Sequence, residues 1–187
     1  MRAFISINLT DSLHEAIGRF QKQLDPEAPG VRWIRPQNCH LTLKFLGEMA
    51  ESQVEIIERS LLPIAHSFRP FSFEMGGAGQ FPKQGPLSVL WVGIRKGSEI
   101  IASLENAIRA ALEEAKISFD KKPFSPHLTI GRGKNTGRPS RIDYRKYENV
   151  SLGVMEADAF YLMESVLDPQ GAIYTPRGRF PLGEKED

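Results

Sequence analysis

A short pattern, His-Leu-Thr followed by an aliphatic residue, occurs twice in this chain, at residues 40–43 and at residues 127–130. Each copy follows a basic residue and a proline, and the proline lies four positions before the histidine. The chain contains only four histidines, and this repeat uses two of them. A duplicated segment of this kind predicts two similar lobes, each of which places one such strand beside the other.

Both copies have the alternation of a half-buried strand, in which side chains two positions apart point to the same face. Each histidine therefore shares a face with the threonine two residues later. The polar faces consist of His40 with Thr42 and of His127 with Thr129, and the apolar faces consist of Leu41, Leu43 and Phe45 and of Leu128 and Ile130. If the lobes are symmetric, two imidazoles and two hydroxyls converge on one cavity.

Such a cavity suits the chemistry of a phosphate ester. The unperturbed pKa of imidazole is about 6.5, so one ring can be neutral and accept a proton while the other is protonated and donates one. Threonine hydroxyls can donate hydrogen bonds to the non-bridging oxygens of a phosphate as charge develops there. Zinc sites usually need three or four protein ligands, so we expect neither a metal nor a cofactor.

The alternative interpretation is that these histidines are structural, as a lone histidine on a half-buried strand usually is. The repeated context favours function for the motif histidines, and the shared parity favours a site role for the motif threonines over simple strand propensity. His14 and His66 lie in predicted helices without a repeated context. We expect those two to be surface or packing residues.

Composition excludes several classes of protein. The formal net charge is +1, so an anionic partner must be met by a local patch of charge. The single cysteine, Cys39, excludes an internal disulfide and a cysteine-based zinc site. The sequence shows neither a signal peptide nor a segment apolar enough to span a membrane. We therefore expect a monomeric cytoplasmic protein without membrane contact.

Periodicity along the chain predicts an α+β fold, with mostly antiparallel strands covered by helices. Helices are expected at residues 11–24, 51–68 and 98–116, the second of them kinked or ended by Pro63. Strands are expected at residues 3–9, 31–36, 40–47, 71–81, 87–94 and 126–132, and a hairpin at 158–180 around the turn Asp-Pro-Gln-Gly. Residues 133–149 have the composition of an exposed loop.

The two motifs resemble the signatures of the two-histidine phosphoesterase superfamily. More narrowly, the chain resembles the bacterial and archaeal RNA 2',3'-cyclic phosphodiesterases, also called 2'-5' RNA ligases. The similarity extends over nearly the whole chain. It includes the segments MRAFISINL, VRWIRPQNCHLTLKFLGE, GQFP, LWVGI, FSPHLTIGR and ESVLDPQGAIYTPRGRFPL.

This resemblance implies a single two-lobed domain over residues 1–187, with both histidines in a central cleft and helices on the outside. It also implies hydrolysis of an RNA 2',3'-cyclic phosphate to a 2'-phosphate without metal or ATP. By carry-over, His40 is the proton donor to the leaving 3'-oxygen and His127 is the proton acceptor from water. The spacing itself leaves open which histidine is the acid and which phosphate is the product.

The resemblance also implies the partners of the protein. Its substrates would be RNA with 2',3'-cyclic phosphate ends, such as tRNA fragments, or cyclic nucleotides. The same site working in reverse would join a cyclic phosphate to a 5'-hydroxyl in a 2'-5' linkage, with hydrolysis dominating in water.

Three further residues are candidates for substrate binding. Arg132 could pair with a phosphate or stack on a base. In an ideal strand Arg132 lies on the face opposite His127, so a bulge near Gly131 would have to redirect it. Phe45 and Tyr174 could stack on a nucleobase, although strand parity favours a core position for Phe45.

Two groups of basic residues could contact the RNA backbone. One belongs to the predicted loop at residues 133–149 and consists of Lys134, Arg138, Arg141, Arg145 and Lys146; the other is Arg32 with Arg35. A charged loop is more often simply solvated, and this alternative stays open.

Two other functions are compatible with the same residues. One is a nucleotide-binding or RNA-binding module of the same fold without significant turnover, which tight product binding would reveal. The other is cleavage within an RNA chain by two histidines, in the manner of a ribonuclease, which internal cuts in RNA without a cyclic end would reveal.

Overall fold

Two antiparallel sheets and three α-helices make up the part of the chain that the computed structural model describes, residues 1–83, 85–133, 142–169 and 171–183. The helices are α1 (Asp11–Leu24), α2 (Val54–Ser67) and α3 (Ser98–Glu114). The strands are β1 (Arg2–Asn8), β2 (Val31–Trp33), β3 (His40–Glu48), β4 (Phe71–Phe81), β5 (Val89–Lys96), β6 (His127–Gly133), β7 (Ser151–Ala157), β8 (Ala159–Asp168) and β9 (Gly171–Pro181). The α+β class and the antiparallel sheets predicted from the sequence are confirmed.

The two motifs lie in different sheets. The first motif begins β3 in a sheet of order β3-β1-β8-β9, and the second begins β6 in a sheet of order β2-β6-β5-β4-β7. In each sheet the motif strand pairs with the first strand of its own half of the chain, and then a strand from the other half follows. The predicted duplication is therefore present, and each sheet includes two strands from the other half of the chain: β8 and β9 in the first sheet, and β2 and β4 in the second.

The pairing register is duplicated as well, and it includes a β-bulge in each motif strand. The pairs that flank the bulges are Ser6 with Thr42 and Ile5 with Lys44 in the first lobe, and Trp91 with Thr129 and Leu90 with Gly131 in the second. The extra residue is Leu43 in β3 and Ile130 in β6, at the same distance from the histidine in both strands; β3 has a further register shift at Leu46, which the pairing of β6 with β5 does not repeat. An inserted residue reverses the alternation of side chains beyond it, so each strand changes face after its bulge.

The apolar faces of both sheets pack into one hydrophobic core, together with all three helices. The aliphatic residues of the two motifs are at most 2% exposed, as predicted: Leu41, Leu43, Leu128 and Ile130. Helix α1 packs against β7, α2 packs against β9, and α3 contacts β3. Within the described ranges, no helix is long and apolar enough to cross a membrane.

The structure differs from the predicted elements at two places. Pro63 does not end α2, which continues to Ser67. The proline ring is exposed, so the carbonyl that loses its donor can be hydrated. Strand β7 was not predicted, because it is a short edge strand in which Gly153 interrupts the apolar pattern. The predicted hairpin is confirmed, since Asp168 pairs with Gly171 at the end of β8 and β9.

A buried ion pair fixes β3 to α3 just beyond the bulge. Lys44 and Glu105 are paired, and their side chains are only 5% and 4% exposed. Lys44 points into the protein because the bulge has reversed the alternation at this position. The Lys44 ammonium also lies 5.3 Å from the centroid of the Phe119 ring. Buried charges are tolerated when they are paired, so each member of this pair depends on the other.

Removing one member of this pair should therefore destabilise the protein more than removing both. We expect Glu105→Gln to lower the free energy of unfolding by about 3–5 kcal/mol, because it leaves the Lys44 ammonium buried without a counter-charge. The double variant Lys44→Met/Glu105→Leu should recover most of this loss. Glu113→Gln, which removes an exposed pair with Arg109, is the control and should cost about 0–1 kcal/mol. Urea unfolding measures all three, and an equal loss in the single and double variants would contradict the prediction.

Candidate active site

His40 is the first residue of β3, and its imidazole is oriented by the backbone just before the strand. The ring is half-buried, and its Nδ1 lies 2.9 Å from the carbonyl oxygen of Asn38. A carbonyl oxygen can only accept a hydrogen bond, so Nδ1 must carry the proton. In the neutral ring the lone pair is consequently on Nε2, which is the nitrogen left for chemistry.

His127 repeats this arrangement in the other lobe. It is the first residue of β6, and its Nδ1 lies 2.6 Å from the carbonyl oxygen of Ser125, again two residues earlier. The same reasoning assigns the proton to Nδ1 and the lone pair to Nε2. The two imidazoles are thus held in the same tautomer by the same local contact.

Aromatic rings surround His40. Phe4 stacks on the imidazole with ring centroids 4.5 Å apart and an interplanar angle of 20°. Tyr174 meets the imidazole edge-on at a centroid distance of 5.0 Å and also contacts Phe4. Tyr174, a candidate from the sequence, therefore lies beside the first motif. This packing holds the imidazole in one orientation and excludes much of the solvent from it.

His127 also packs against two aromatic rings. Phe81 meets the imidazole at a centroid distance of 5.1 Å, and Trp91 lies 6.4 Å away. Neither of these rings, nor Phe4 in the other lobe, was predicted from the sequence. They belong to β1, β4 and β5, and nothing in those strands marks the residues as neighbours of a histidine.

The surroundings of His40 change its protonation. Burial lowers the pKa of His40 from 6.5 to about 4, and the hydrogen bond to the Asn38 carbonyl opposes this change. His40 is therefore neutral at neutral pH in the free protein. An anion placed beside the ring would favour the charged form and raise the pKa of His40.

Phe45 does not occupy the core position that uninterrupted strand parity predicts. Its side chain is 51% exposed, because the bulge at Leu43 turns it to the face that carries His40 and Thr42. The ring centroid of Phe45 lies 6.3 Å from that of Phe4, the ring that stacks on His40. Phe45 is thus available to a ligand.

Arg132 occupies the equivalent position in the second lobe. The bulge at Ile130 turns Arg132 to the face that carries His127 and Thr129. In a strand without a bulge, Arg132 would lie on the opposite face. Arg132 is exposed and lies directly opposite Arg32 of β2 in the sheet. Like charges at opposite positions of two strands repel, and a bound anion would relieve that repulsion.

A contact of Cys39 links the lobes at the motifs. Cys39 lies between the motif strands and its thiol is 3.6 Å from the carbonyl oxygen of Thr129. This cysteine is 2% exposed and burial raises the pKa of its thiol to about 12, so it is unreactive. Burial also raises the pKa of Tyr174, and the charge of Arg132 opposes that rise. The charge of Arg132, from the second lobe, therefore acts on the ring that packs on His40.

A groove of about 460 Å³ is lined by Asn38 and Tyr174, which both contact His40, but not by either motif histidine. Arg35, Asn38, Ile173 and Tyr174 contribute to its walls. The side-chain amide of Asn38 donates to the carbonyl oxygen of Ala172 at 2.8 Å, which ties this wall to β9. A second groove, of about 510 Å³, lies against α3 and is likewise not lined by either motif histidine.

The predicted basic loop is only partly described. Lys134, Arg138 and Arg141 lie outside the described residues. Lys146 forms an ion pair of 3.5 Å with Glu27, and the hydroxyl of Tyr147 donates to the same carboxylate at 2.9 Å. These contacts favour a structural role for Lys146. Among the described residues, no group of three or more His, Cys, Asp or Glu side chains is placed to hold a metal ion.

Comparison with known families gives the same division of the chain. The family described as LigT like Phosphoesterase matches it twice, at residues 7–91 and at residues 92–174. Each match contains one motif histidine. The double match agrees with the duplicated strand order and with the duplicated bulge.

Similar proteins are found among curated sequences and solved structures. The RNA 2',3'-cyclic phosphodiesterase of Archaeoglobus fulgidus is 36% identical over 174 residues, covering 93% of this chain and 96% of the relative. The protein of the same name from Aquifex aeolicus is 34% identical, covering 98% of both chains.

Solved structures share the fold over nearly the same length. The protein TT0787 of Thermus thermophilus has a TM-score of 0.82 at 29% identity, covering 98% of this chain and 100% of the other. LigT of E. coli, complexed with ATP, has a TM-score of 0.76 at 26% identity, covering 98% of each chain. The chain therefore belongs to the LigT-like phosphoesterases of the two-histidine superfamily.

Proposed function

We propose that this protein is an RNA 2',3'-cyclic phosphodiesterase whose two motif histidines transfer the protons of the reaction. The activity is supported by the name of the relatives from Archaeoglobus fulgidus and Aquifex aeolicus. The observation that carries the mechanism is the matched orientation of His40 and His127. Each imidazole donates its Nδ1 proton to a backbone carbonyl and keeps Nε2 for the substrate.

In the proposed reaction a water molecule attacks the phosphorus of the cyclic phosphate. Nε2 of His127 accepts a proton from this water as the new phosphorus–oxygen bond forms. The bond from phosphorus to the 3'-oxygen breaks, and Nε2 of His40 gives its proton to that oxygen. The products are a 2'-phosphate and a free 3'-hydroxyl. Thr42 and Thr129 donate hydrogen bonds to the non-bridging oxygens as their charge increases.

The lowered pKa of His40 sets a condition on this assignment. With a pKa of about 4, His40 must gain a proton when the substrate binds if it is to act as the donor. The negative charge of the phosphodiester acts in that direction. His40 as proton acceptor and His127 as donor is the second candidate, and it is favoured by the neutral state of His40 in the free protein.

The faces that carry the histidines also supply contacts for an RNA end. Arg132, with Arg32 opposite it, provides positive charge for a phosphate. Phe45 and Tyr174 provide aromatic surface on which a nucleobase can stack. E. coli LigT, which shares the fold, is complexed with a nucleotide, ATP, in one of its structures. These contacts extend the proposal to RNA as the substrate class.

The proposed chemistry uses only the side chains of the protein and therefore requires neither metal nor ATP. Imidazoles supply both proton transfers, and hydroxyl and guanidinium groups stabilise the phosphate charge. Because each step can run backwards, the same groups could also join a cyclic phosphate to a 5'-hydroxyl as a 2'-5' linkage. Water is in large excess, so hydrolysis should dominate.

The activity can be tested with an oligonucleotide that ends in a 2',3'-cyclic phosphate, in buffer containing EDTA. We expect full turnover to a 2'-phosphate, and a loss of about 10²–10⁴-fold in kcat/KM for His40→Ala and for His127→Ala, because each removes one positioned proton transfer. His66→Gln, which changes a histidine outside the motifs, is the control. The proposal fails if turnover requires added metal or if either motif variant retains near wild-type activity.

The same experiment separates the alternatives. Tight binding of the product without turnover in the wild-type protein would indicate a binding module. Internal cuts in an RNA without a cyclic end would indicate a ribonuclease-like reaction.

The acid can be identified with an analogue in which sulfur replaces the 3'-bridging oxygen. A thiolate is a far weaker base than an alkoxide, since thiols have a pKa of about 8.5, and it leaves without needing a proton. If His40 is the donor, the loss caused by His40→Ala should be much smaller with this analogue than with the natural ester. The loss caused by His127→Ala should be the same with both. The reverse pattern would assign the donor role to His127. If neither variant loses less activity with the analogue than with the natural ester, the paired acid and base are contradicted.

A further inference from the structure

Gln21 is a buried polar residue on an otherwise apolar helix face. Its side chain is 6% exposed, and the other buried residues of α1 are Leu13, Ala16, Ile17, Phe20 and Leu24. Burying an amide is costly unless its hydrogen bonds are satisfied. The partners of Gln21 therefore indicate why a polar residue is placed here.

The side-chain amide of Gln21 donates two hydrogen bonds to backbone carbonyls. Nε2 lies 2.7 Å from the oxygen of Ile34 and 2.9 Å from the oxygen of Ile130. The backbone N–H of Ile34 donates to the same Ile130 oxygen at 3.0 Å. Ile130 is the extra residue of the bulge in β6, so Gln21 and the segment after β2 hold this bulge from one side.

The bulge decides where Arg132 points. Without the extra residue, the alternation of β6 would place Arg132 on the face opposite His127 and Thr129. With the bulge in place, Arg132 is exposed on the same face as the motif, and its charge opposes the rise that burial causes in the pKa of Tyr174. Contacts that fix Ile130 consequently fix the direction of Arg132.

We propose that Gln21 is a positioning residue for the phosphate-binding arginine: by holding the carbonyl of Ile130, it fixes the bulge that aims Arg132 at the substrate. This proposal rests on the proposed role of Arg132 in binding. Gln21 itself lies behind the sheet and does not touch the substrate.

The origin of the two residues adds to this proposal. Gln21 belongs to the first half of the chain, and Arg132 belongs to the second. The other lobe has a corresponding contact, because Glu105 of α3, from the second half, pairs with Lys44 just beyond the bulge of β3. Each half of the chain thus supplies a buried polar side chain that holds the bulged strand of the other half.

A double-variant cycle tests whether Gln21 acts through Arg132. The variants are Gln21→Met, Arg132→Met and the two combined, and the control is Gln23→Met, an exposed glutamine on the same helix. We expect Gln21→Met to raise KM for a 2',3'-cyclic nucleotide, and the inhibition constant of inorganic phosphate, by about tenfold, roughly the worth of one charge-assisted hydrogen bond. The change in kcat should be smaller.

The combined variant gives the decisive result. If Gln21 positions Arg132, then Gln21→Met/Arg132→Met should have the same KM and inhibition constant as Arg132→Met alone. The side chain that Gln21 positions is already absent from the single variant, so the second substitution removes nothing further. If Gln21 only stabilises the fold, the two fold-changes should multiply, and this would overturn the proposal. Should Gln21→Met not fold, Gln21→Asn serves in its place, since its shorter side chain cannot reach both carbonyls.

A second measurement does not depend on activity. The pKa of Tyr174 can be followed by NMR in protein with ¹³C-labelled tyrosine, with Tyr174→Phe used to assign the signal. Arg132→Met should raise the pKa of Tyr174, because it removes a positive charge that opposes the effect of burial. Gln21→Met should raise it as well, and an unchanged value would overturn the proposal. If the wild-type protein does not turn over cyclic phosphates, the proposed function fails while this measurement still tests Gln21.

Discussion

A strand that alternates without interruption could present a histidine and a threonine on one face, but it would then turn the residue five positions after the histidine away from them. One inserted residue in β3 and one in β6 prevent this. Each lobe consequently places three side chains on the face of its histidine, and the third is Phe45 in one lobe and Arg132 in the other. The repeat is symmetric in its histidines and threonines and asymmetric in the contacts it offers a substrate. An aromatic ring on one side and a guanidinium on the other suit a molecule with a base at one end and a phosphate at the other.

The exchange of elements between the halves explains how two histidines can be held in a fixed relation. Strand β8 from the second half completes the sheet of His40, and β4 from the first half completes the sheet of His127. The thiol of Cys39 fills the space between the two motif strands. Neither lobe can therefore shift without disturbing strands that belong to the other. Paired proton transfer requires such a fixed placement, because both imidazoles must reach the same phosphate at once.

The sequence predicts the features that depend on alternation within one strand and misses those that depend on pairing with a neighbouring strand. The burial of Leu41 and Leu128 and the common face of each histidine with its threonine follow from the two-residue period of a strand. The bulges arise from the register with β1 and β5, which local parity does not contain, and so Phe45 was wrongly expected in the core. The sequence did contain one sign of the bulge in β3. Leu46 is apolar and is buried like Leu41, although the two would lie on opposite faces of an uninterrupted strand.

The environment of the histidines is also a property of the fold. Phe4 and Trp91 come from strands that are far in sequence from the motifs they pack against. The lowered pKa of His40 follows from that packing and could not be read from the motif. The hydrogen bond from each Nδ1 to the carbonyl two residues earlier depends on how the chain enters the strand, which periodicity does not describe.

The central claim is that Nε2 of His40 and Nε2 of His127 bind one phosphate group between them. It can be tested by following both nitrogens by NMR in protein labelled with ¹⁵N-histidine while a 2'-phosphorylated nucleotide is added. We predict that both signals shift along a single binding curve that saturates at one ligand per protein. A response of only one imidazole, or two curves with different affinities, would show that the histidines serve separate sites and would contradict the claim.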